Sequence, residues 1–204
     1  MIFVDDYSSI VFTYFLKNKS NAVDALKRFL ADTALYGTVK RMRSDNGGEF
    51  ISHEFQNILI ENKIKIELTS PYSPHQNGTS ERNWQSLFNM ARTLLIDSKL
   101  PKEFWTYAVM TASFIRNRCF NQRVKNTPQY MLTGVKPNLN RLHIFGSICY
   151  PYIETYKKKL DARAYEGIFL GYDKYSPSYF IYDPKLKRIK KHRVVKFTEK
   201  LPRV

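Results

Sequence analysis

The chain has 204 residues, of which 43% are hydrophobic, and a net charge of +15 from 33 Lys and Arg against 18 Asp and Glu. This length predicts one ordinary domain or two small ones, and a membrane protein is excluded because no apolar run approaches the roughly 20 residues that a membrane helix needs. Two cysteines and four histidines exclude a disulfide framework and a zinc finger, and the first residues are unlike a signal peptide, so we expect an intracellular protein, nuclear or cytoplasmic and not secreted.

The first 100 residues alternate between strand and helix patterns. MIFVDDYSS and IVFTYFL are two strand patterns joined by a turn, and SNAVDALKRFLADTALYG is an amphipathic helix. A strand that ends at Asp45, a helix capped by Ser52, a strand over IKIELTS, a Pro-rich loop and a helix from about Ser80 to Asp97 follow in that order. This alternation predicts a mixed α/β sheet covered by helices.

The pattern changes toward the end of the chain. A helix is predicted over PKEFWTYAVMTASFIRNR, and TPQYMLTG predicts a short helix capped by Thr127. From about residue 142 only short strands remain, punctuated by Gly, Pro and Asp, which predicts a small β-barrel or a curled sheet. We therefore expect an α/β domain with its trailing helices at 1–133, a linker at 134–141 and a small β domain at 142–204.

Positive charge is concentrated after residue 100. Residues 1–100 carry 12 Lys and Arg against 11 Asp and Glu, residues 101–149 carry 7 against 1, and residues 150–204 carry 14 against 6. A basic segment that is also rich in Tyr and Phe favours nucleic acid as a partner. The alternative is a solvated, lysine-rich surface.

The densest basic run is KLKRIKKHR, which contains Lys187, Lys190, Lys191 and Arg193. We expect a hairpin whose outer face carries these side chains to nucleic-acid phosphates. A simple exposed hairpin face, with Leu186 and Ile189 buried at alternate positions, is the alternative.

Carboxylates stand at the ends of three predicted elements. Asp45 ends a strand before Asn46-Gly47-Gly48, Glu81 opens a helix, and Asp5 and Asp6 end the first strand. Each alone has a simple explanation, because Asp forms turns and Glu complements the dipole of a helix in its first turn. Carried on adjacent elements of one sheet, such carboxylates converge on divalent cations, and two Mg²⁺ ions about 3.5–4 Å apart support an in-line phosphoryl displacement.

The separation of two of these carboxylates completes a longer pattern. RSDNGGEF with Asp45, and LTSPYSPHQNGTSERNW with Glu81, are placed so that 35 residues lie between the two acids. This arrangement resembles the integrase core of retroviruses and LTR retrotransposons. FVDDYSS, ARTLL, LPKEFWTYAV, TPQYMLTGVKPNLNRLHIFGSICY and KLDARAYEGIFLGYD extend the resemblance to copia-type elements over essentially the whole chain.

The resemblance implies a ribonuclease H-like fold with an Asp, Asp, Glu triad that binds two Mg²⁺ or Mn²⁺ ions, cuts element DNA ends and joins them to target DNA. Asp45 matches the second aspartate and Glu81 the glutamate, as catalytic residues and metal ligands. Residues 143–198 resemble the Src-homology-three-like barrel that follows the core. Self-association is expected as for integrases.

The nucleic-acid contacts that the resemblance implies lie beside the two acids. They are the neighbour of the aspartate and the loop before the glutamate: Asn46, His75, Gln76, Asn77 and Gly78. Gln85, one helical turn past Glu81, is a further candidate for touching DNA, and an ordinary polar helix face is the alternative.

The sequence departs from the family pattern at one position. In the family the first catalytic aspartate lies on the strand before the one that ends at Asp5 and Asp6, so this aspartate and its strand are expected to be missing, as is the zinc-binding amino-terminal region. Two hypotheses follow: an integrase-derived polypeptide that is catalytically defective as it stands, and a non-catalytic DNA- or RNA-binding remnant or host-recruited binding module. A different ribonuclease H-like nuclease is disfavoured by the strands after residue 142.

Overall fold

The computed structural model describes residues 1–69, 78–153 and 158–202. The helices and strands run in chain order as β1 (Ile2–Val4), β2 (Val11–Thr13), α1 (Ala22–Thr33), β3 (Arg41–Ser44), α2 (Gly48–Ile51), α3 (His53–Glu61), β4 (Lys65–Leu68), α4 (Gly78–Ser98), α5 (Trp105–Arg116), α6 (Pro128–Thr133), β5 (Ile148–Pro151), β6 (Gly167–Tyr172), β7 (Tyr179–Asp183), β8 (Arg188–His192) and β9 (Val195–Phe197). None of the helices within these described residues is both long enough and apolar enough to cross a membrane.

Two compact units make up the chain. The amino-terminal unit comprises residues 1–86 and 119–137, and the carboxy-terminal unit comprises residues 87–118 and 138–204. The predicted domain boundaries stay a prediction.

Strands of the amino-terminal unit form two separate ladders. β1 pairs with β2 in antiparallel fashion, and β3 pairs with β4 in parallel fashion. Both directions of a mixed sheet are therefore present, but within the described residues no strand joins β1 to β3. The mixed strand directions agree with the predicted sheet, which the described residues form as two ladders.

A shared layer of side chains holds the amino-terminal unit together. The ring of Phe3 on β1 stacks on that of Phe29 on α1 at 4.2 Å, and Leu26 and Phe55 are fully buried in the same cluster. As the sequence predicts, Ser52 caps α3, since its hydroxyl accepts a hydrogen bond from the Phe55 amide at 3.4 Å. Helix packing, and not strand pairing, therefore joins the two ladders.

The carboxy-terminal unit is built on a five-stranded antiparallel sheet in the order β8-β7-β6-β5-β9. One face carries a buried cluster that includes Cys149, Phe169 and Ile181. These strands lie where the sequence predicts the small β domain.

Helix α5 packs against this sheet. The Thr111 hydroxyl donates a hydrogen bond to the Leu170 carbonyl at 3.2 Å, and Tyr107 packs edge-on against Phe180. The sequence assigns this helix to the α/β part, whereas in the structure it belongs to the unit of the β sheet. Gly171 on β6 makes the close approach possible, because its φ is +131° and a Cβ there would lie 2.3 Å from the Thr111 Oγ1.

Replacing Gly171 by Ala is expected to destabilise the carboxy-terminal unit by about 2–4 kcal/mol, because the new methyl group meets the Thr111 hydroxyl and the backbone conformation disfavours a side chain. Chemical denaturation followed by circular dichroism measures the decrease in stability. Gly48→Ala is the matched control, since a Cβ at that glycine has open space and no positive φ. Equal stability of the two variants would contradict the proposed close approach.

Candidate metal and nucleic-acid site

Asp45 lies directly after β3 and is exposed to solvent. One of its carboxylate oxygens, Oδ1, accepts a hydrogen bond from the Gly47 amide at 3.1 Å, which is the local bond that Asp makes in a turn. The side chain of Asn46 donates to the Thr69 carbonyl at 3.3 Å, just past the end of β4. Asn46 therefore fixes the loop to the neighbouring strand, and this bond gives it a structural role beside the predicted nucleic-acid contact.

A second carboxylate stands close to Asp45. A Cβ added to Gly47 would lie 3.0 Å from the Glu49 Oε2 and 3.1 Å from the Asp45 Oδ1, so both acids border the same point of the backbone. The sequence interpretation leaves Glu49 out. Its place four residues after Asp45, in the first turn of α2, is the signal that indicates it.

A cavity of about 560 Å³ separates β1 from β3. Residues 2–6 line it on one side and residues 38–45 on the other, and Ser80 at the start of α4 lines it as well. Asp45 and Ser80, the residue before Glu81, therefore border one cavity.

The backbone edges that border this cavity are unpaired within the described residues. Met1 exchanges backbone hydrogen bonds with Tyr14, and the Asp5 amide donates to the Ile10 carbonyl, on either side of β2, so by alternation Ile2 and Val4 present their N–H and C=O groups to the other side. The carbonyls of Lys40 and Ser44 likewise accept from the Lys65 and Thr69 amides, so by alternation the backbone groups of Arg41 and Arg43 are turned away from β4. Beside them, the Ser44 hydroxyl is buried and has no hydrogen-bond partner among the described residues.

Asp5 and Asp6 are held by neighbours of their own. The Asp5 carboxylate accepts hydrogen bonds from the Ser8 amide at 2.7 Å and the Ser8 hydroxyl at 2.6 Å. Asp6 is 87% exposed and pairs with Arg123 at 2.6 Å. These partners place both residues in the β1–β2 turn and at its surface.

Glu81 lies exposed in the first turn of α4, and Gln85 is exposed one turn further along the helix. Gly78 begins α4, with open space around its Cα. His75, Gln76 and Asn77 lie outside the described residues. The predicted roles of all these residues stay predictions.

Carboxylates are the hard oxygen donors that Mg²⁺ and Mn²⁺ prefer. Among residues 1–69, 78–153 and 158–202, however, no three His, Cys, Asp or Glu side chains come close enough together to hold a metal ion. Asp45 and Glu81 are suitable donors in chemical type, but the described set is too small for a two-metal site.

The predicted basic residues all lie on the β7–β8 hairpin or directly after it, and all are exposed. Lys187 is in the turn, at φ 47°. Lys190 is opposite Ile181 and Lys191 opposite Phe180, so adjacent lysines point to opposite faces of the sheet. Leu186 is 56% exposed, so the alternative in which it is buried is wrong for that residue.

Lys191 is engaged in an ion pair. Its ammonium lies 2.9 Å from the Asp173 carboxylate, whose side chain is only 6% exposed. Burial alone raises the pKa of Asp173, but hydrogen bonds from Ser176 and Lys191 outweigh it and hold that pKa below its ordinary value. The lysine is therefore less available to an external phosphate than its neighbours are.

Two protein families match the chain. Residues 1–74 match the integrase core domain, and residues 147–203 match the retroviral polymerase SH3-like domain. The first match contains Asp45, and the second contains the five strands of the carboxy-terminal sheet.

Similar full-length proteins are retrovirus-related Pol polyproteins of plants. The one from transposon TNT 1-94 of Nicotiana tabacum is 32% identical over 201 residues, which is 97% of this chain and 15% of the relative. The one from transposon RE2 of Arabidopsis thaliana is 31% identical over 204 residues, which is 98% of this chain and 14% of the relative. The chain thus spans about one seventh of the length of these relatives.

Solved structures with a similar fold are viral integrases. The HTLV-2 integrase catalytic core domain in complex with magnesium aligns at a TM-score of 0.52 and 23% identity, covering 64% of this chain and 82% of that one. A simian T-cell lymphotropic virus intasome in complex with the PP2A regulatory subunit B56γ aligns at 0.56 and 19%, covering 96% and 70%. These likenesses establish the ribonuclease H-like integrase fold.

Replacing Asp5 by Ala is expected to lower the free energy of unfolding by about 1–3 kcal/mol, because two hydrogen-bond donors of Ser8 lose their acceptor. Asp6→Ala is expected to have no measurable effect, since its ion pair is exposed. Urea denaturation compares the two, and Asp5→Asn, which retains one acceptor oxygen, is the milder control. A larger destabilisation by Asp6→Ala than by Asp5→Ala would refute these assignments.

Proposed function

Because the chain belongs to the integrases of retrovirus-related Pol polyproteins, we propose that it derives from a copia-type LTR retrotransposon integrase. The parent activity is DNA integration, in which element ends are processed and joined to target DNA. Partner molecules in this proposal are element ends and target DNA, with self-association of the chain and a nuclear or cytoplasmic location.

One observation supports this proposal above the others. Asp45 at the end of β3 and Ser80, next to Glu81, border the same cavity although 35 residues separate the two acids in sequence. Two residues that act on one phosphodiester have to be carried close to one another, and the placement of Asp45 and of the residue before Glu81 at one cavity supports this role.

In the active parent, a divalent cation, Mg²⁺ or Mn²⁺, supplies the charge that stabilises the transferring phosphoryl group. In this chain Asp45 and Glu81 would hold it. The described carboxylates do not complete such a site. We therefore propose that the chain as it stands binds nucleic acid and does not catalyse strand transfer.

A non-catalytic DNA- or RNA-binding module is the second candidate function. The observation that favours it is the charge, since 21 of the 33 Lys and Arg residues lie after residue 100 and phosphate binding depends on these side chains and not on the acids. The two candidates differ in one measurable property, which is the turnover of DNA in the presence of metal.

Strand-transfer and end-processing assays on the 204-residue chain are expected to give no product above background with either Mg²⁺ or Mn²⁺, because Asp45 and Glu81 alone are too few to position two metal ions. Glu81→Gln should be indistinguishable from the parent chain. The positive control is a chain lengthened at its amino terminus by a strand that ends in Asp. Robust turnover by the 204-residue chain, abolished by Glu81→Gln, would overturn the proposal of a catalytically inactive chain.

Nucleic-acid binding is expected to be salt-sensitive and tolerant of sequence. In the test variant, Lys187, Lys190 and Lys191 are replaced together by Gln. The steepness of the plot of log K against log salt concentration should then decrease by about 0.9 for each phosphate that these lysines no longer neutralise. Lys191 is expected to contribute least, because it already pairs with Asp173. Fluorescence anisotropy with a labelled DNA duplex measures this slope. The matched control replaces three exposed lysines of the amino-terminal unit, Lys17, Lys19 and Lys65. An equal effect of the two triple variants would contradict the assignment of the phosphate contacts to the β7–β8 hairpin.

A further inference from the structure

Two arginines of the carboxy-terminal unit lie on one cluster of aromatic rings. The guanidinium carbon of Arg118, two residues past the end of α5, lies 3.3 Å from the centroid of the Phe114 ring. That of Arg141 lies 5.3 Å from the centroid of the Tyr179 ring. Phe114 stacks on Tyr172 at 3.7 Å, and Tyr172 lies 6.0 Å from Tyr179, so the supporting rings are continuous.

This support fixes the position of the guanidinium groups. Arg118 also donates from Nη1 to the Phe114 carbonyl at 3.0 Å, so that ring and backbone together hold its plane. A guanidinium that lies on an aromatic face presents its remaining N–H groups at the edge of the plane. Such a fork matches the oxygens of a phosphate or a carboxylate.

The positive charge of the pair is not balanced by acids. Within the described residues, neither Arg118 nor Arg141 has a carboxylate within 4 Å, and the Nη2 of Arg141 is buried without any hydrogen-bond partner. Glu199, near the same aromatic cluster, accepts from the Ile144 amide and pairs with His143 instead. A buried donor without an acceptor is costly, and a native structure rarely retains one unless a ligand or water completes it.

The two guanidinium groups also repel each other. Burial, and after it the charge of Arg141, lowers the pKa of Arg118 to about 10, so Arg118 remains charged at neutral pH. Two half-buried like charges without a counterion destabilise the free protein. An oxyanion between them would relieve the repulsion and supply the missing acceptor at once.

We propose that Arg118 and Arg141 form a phosphate-binding site that receives one backbone phosphate of a bound nucleic acid. The choice of nucleic acid rests on the proposed function and on the excess of Lys and Arg after residue 100. Free inorganic phosphate presents the same oxygens and is the other source of this ligand. The site lies away from Asp45 and Glu81 in sequence and needs no metal ion.

Thermal unfolding of the full chain in phosphate, compared with chloride at equal ionic strength, tests the site directly. Phosphate is expected to raise the Tm of the parent chain and not that of Arg118→Gln or Arg141→Gln. In phosphate-free buffer Arg141→Gln should be at least as stable as the parent chain, because it removes an unpartnered donor and a like charge. The Arg118→Lys and Arg141→Lys variants retain charge and bulk but lack the planar guanidinium fork. If these variants fold but their Tm does not respond to phosphate, the lost response is due to the missing fork and not to a general loss of structure.

DNA binding gives the second measurement. Arg118→Gln and Arg141→Gln are each expected to weaken binding of a DNA duplex about tenfold, in line with charge-assisted hydrogen bonds. Arg163→Gln, at an exposed arginine of the same unit, is the control and should change affinity less than about twofold.

The outcomes separate the inference from the proposed function. If the parent chain binds DNA and both variants match Arg163→Gln, the site is overturned and the function stands. If phosphate stabilises the parent chain through these arginines but no DNA binds, the site is supported with free phosphate as its ligand and the proposed function fails. A phosphate response that survives both substitutions overturns the site.

Discussion

Backbone pairing at the inner edges of β1 and β3 is the constraint on which the amino-terminal unit depends. Every backbone N–H and C=O group needs a partner, and in the described residues each of these strands is paired on one side only. The cavity of about 560 Å³ lies between these two edges. The unit is therefore held together by its side-chain core, in which Phe3 from one ladder stacks on Phe29 of α1.

The geometry of the acidic residues follows from this division. Asp45 is oriented by the Gly47 turn and by the bond from Asn46 to Thr69, all within the β3–β4 ladder, while Asp5 is oriented by Ser8 in the β1–β2 ladder. Within the described residues, no strand pairing joins the ladder that carries Asp45 to the ladder that carries Asp5. The two acids are therefore positioned by separate sets of local bonds.

Local chemistry made much of this structure predictable from sequence. Ser52 and Thr127 cap their helices through the predicted hydroxyls, because a capping bond involves only three neighbouring residues. The partner of α5 was not predictable in this way: its buried residues Ala108, Val109 and Ala112 indicate burial without saying against which surface. The candidate site was likewise predictable only in part. The sequence predicts Asp45 and Glu81 from their spacing, whereas only the fold shows that Glu49 lies beside Asp45 and that Lys191 pairs with Asp173.

Charge counted along the sequence and charge available to a ligand are different quantities in this protein. KLKRIKKHR is the densest basic run, yet its neighbouring lysines point to opposite faces of the sheet and one of them is neutralised by a buried acid. Arg118 and Arg141 are far apart in sequence, but their guanidinium groups lie on one cluster of packed aromatic rings. Among the described residues, the Nη2 of Arg141 has no hydrogen-bond partner there. Ordering a free lysine at a phosphate costs side-chain entropy, whereas a stacked arginine has given up much of that entropy on folding. If the proposed phosphate site holds, rigid arginines contribute more to phosphate affinity per positive charge than the lysine-rich hairpin does.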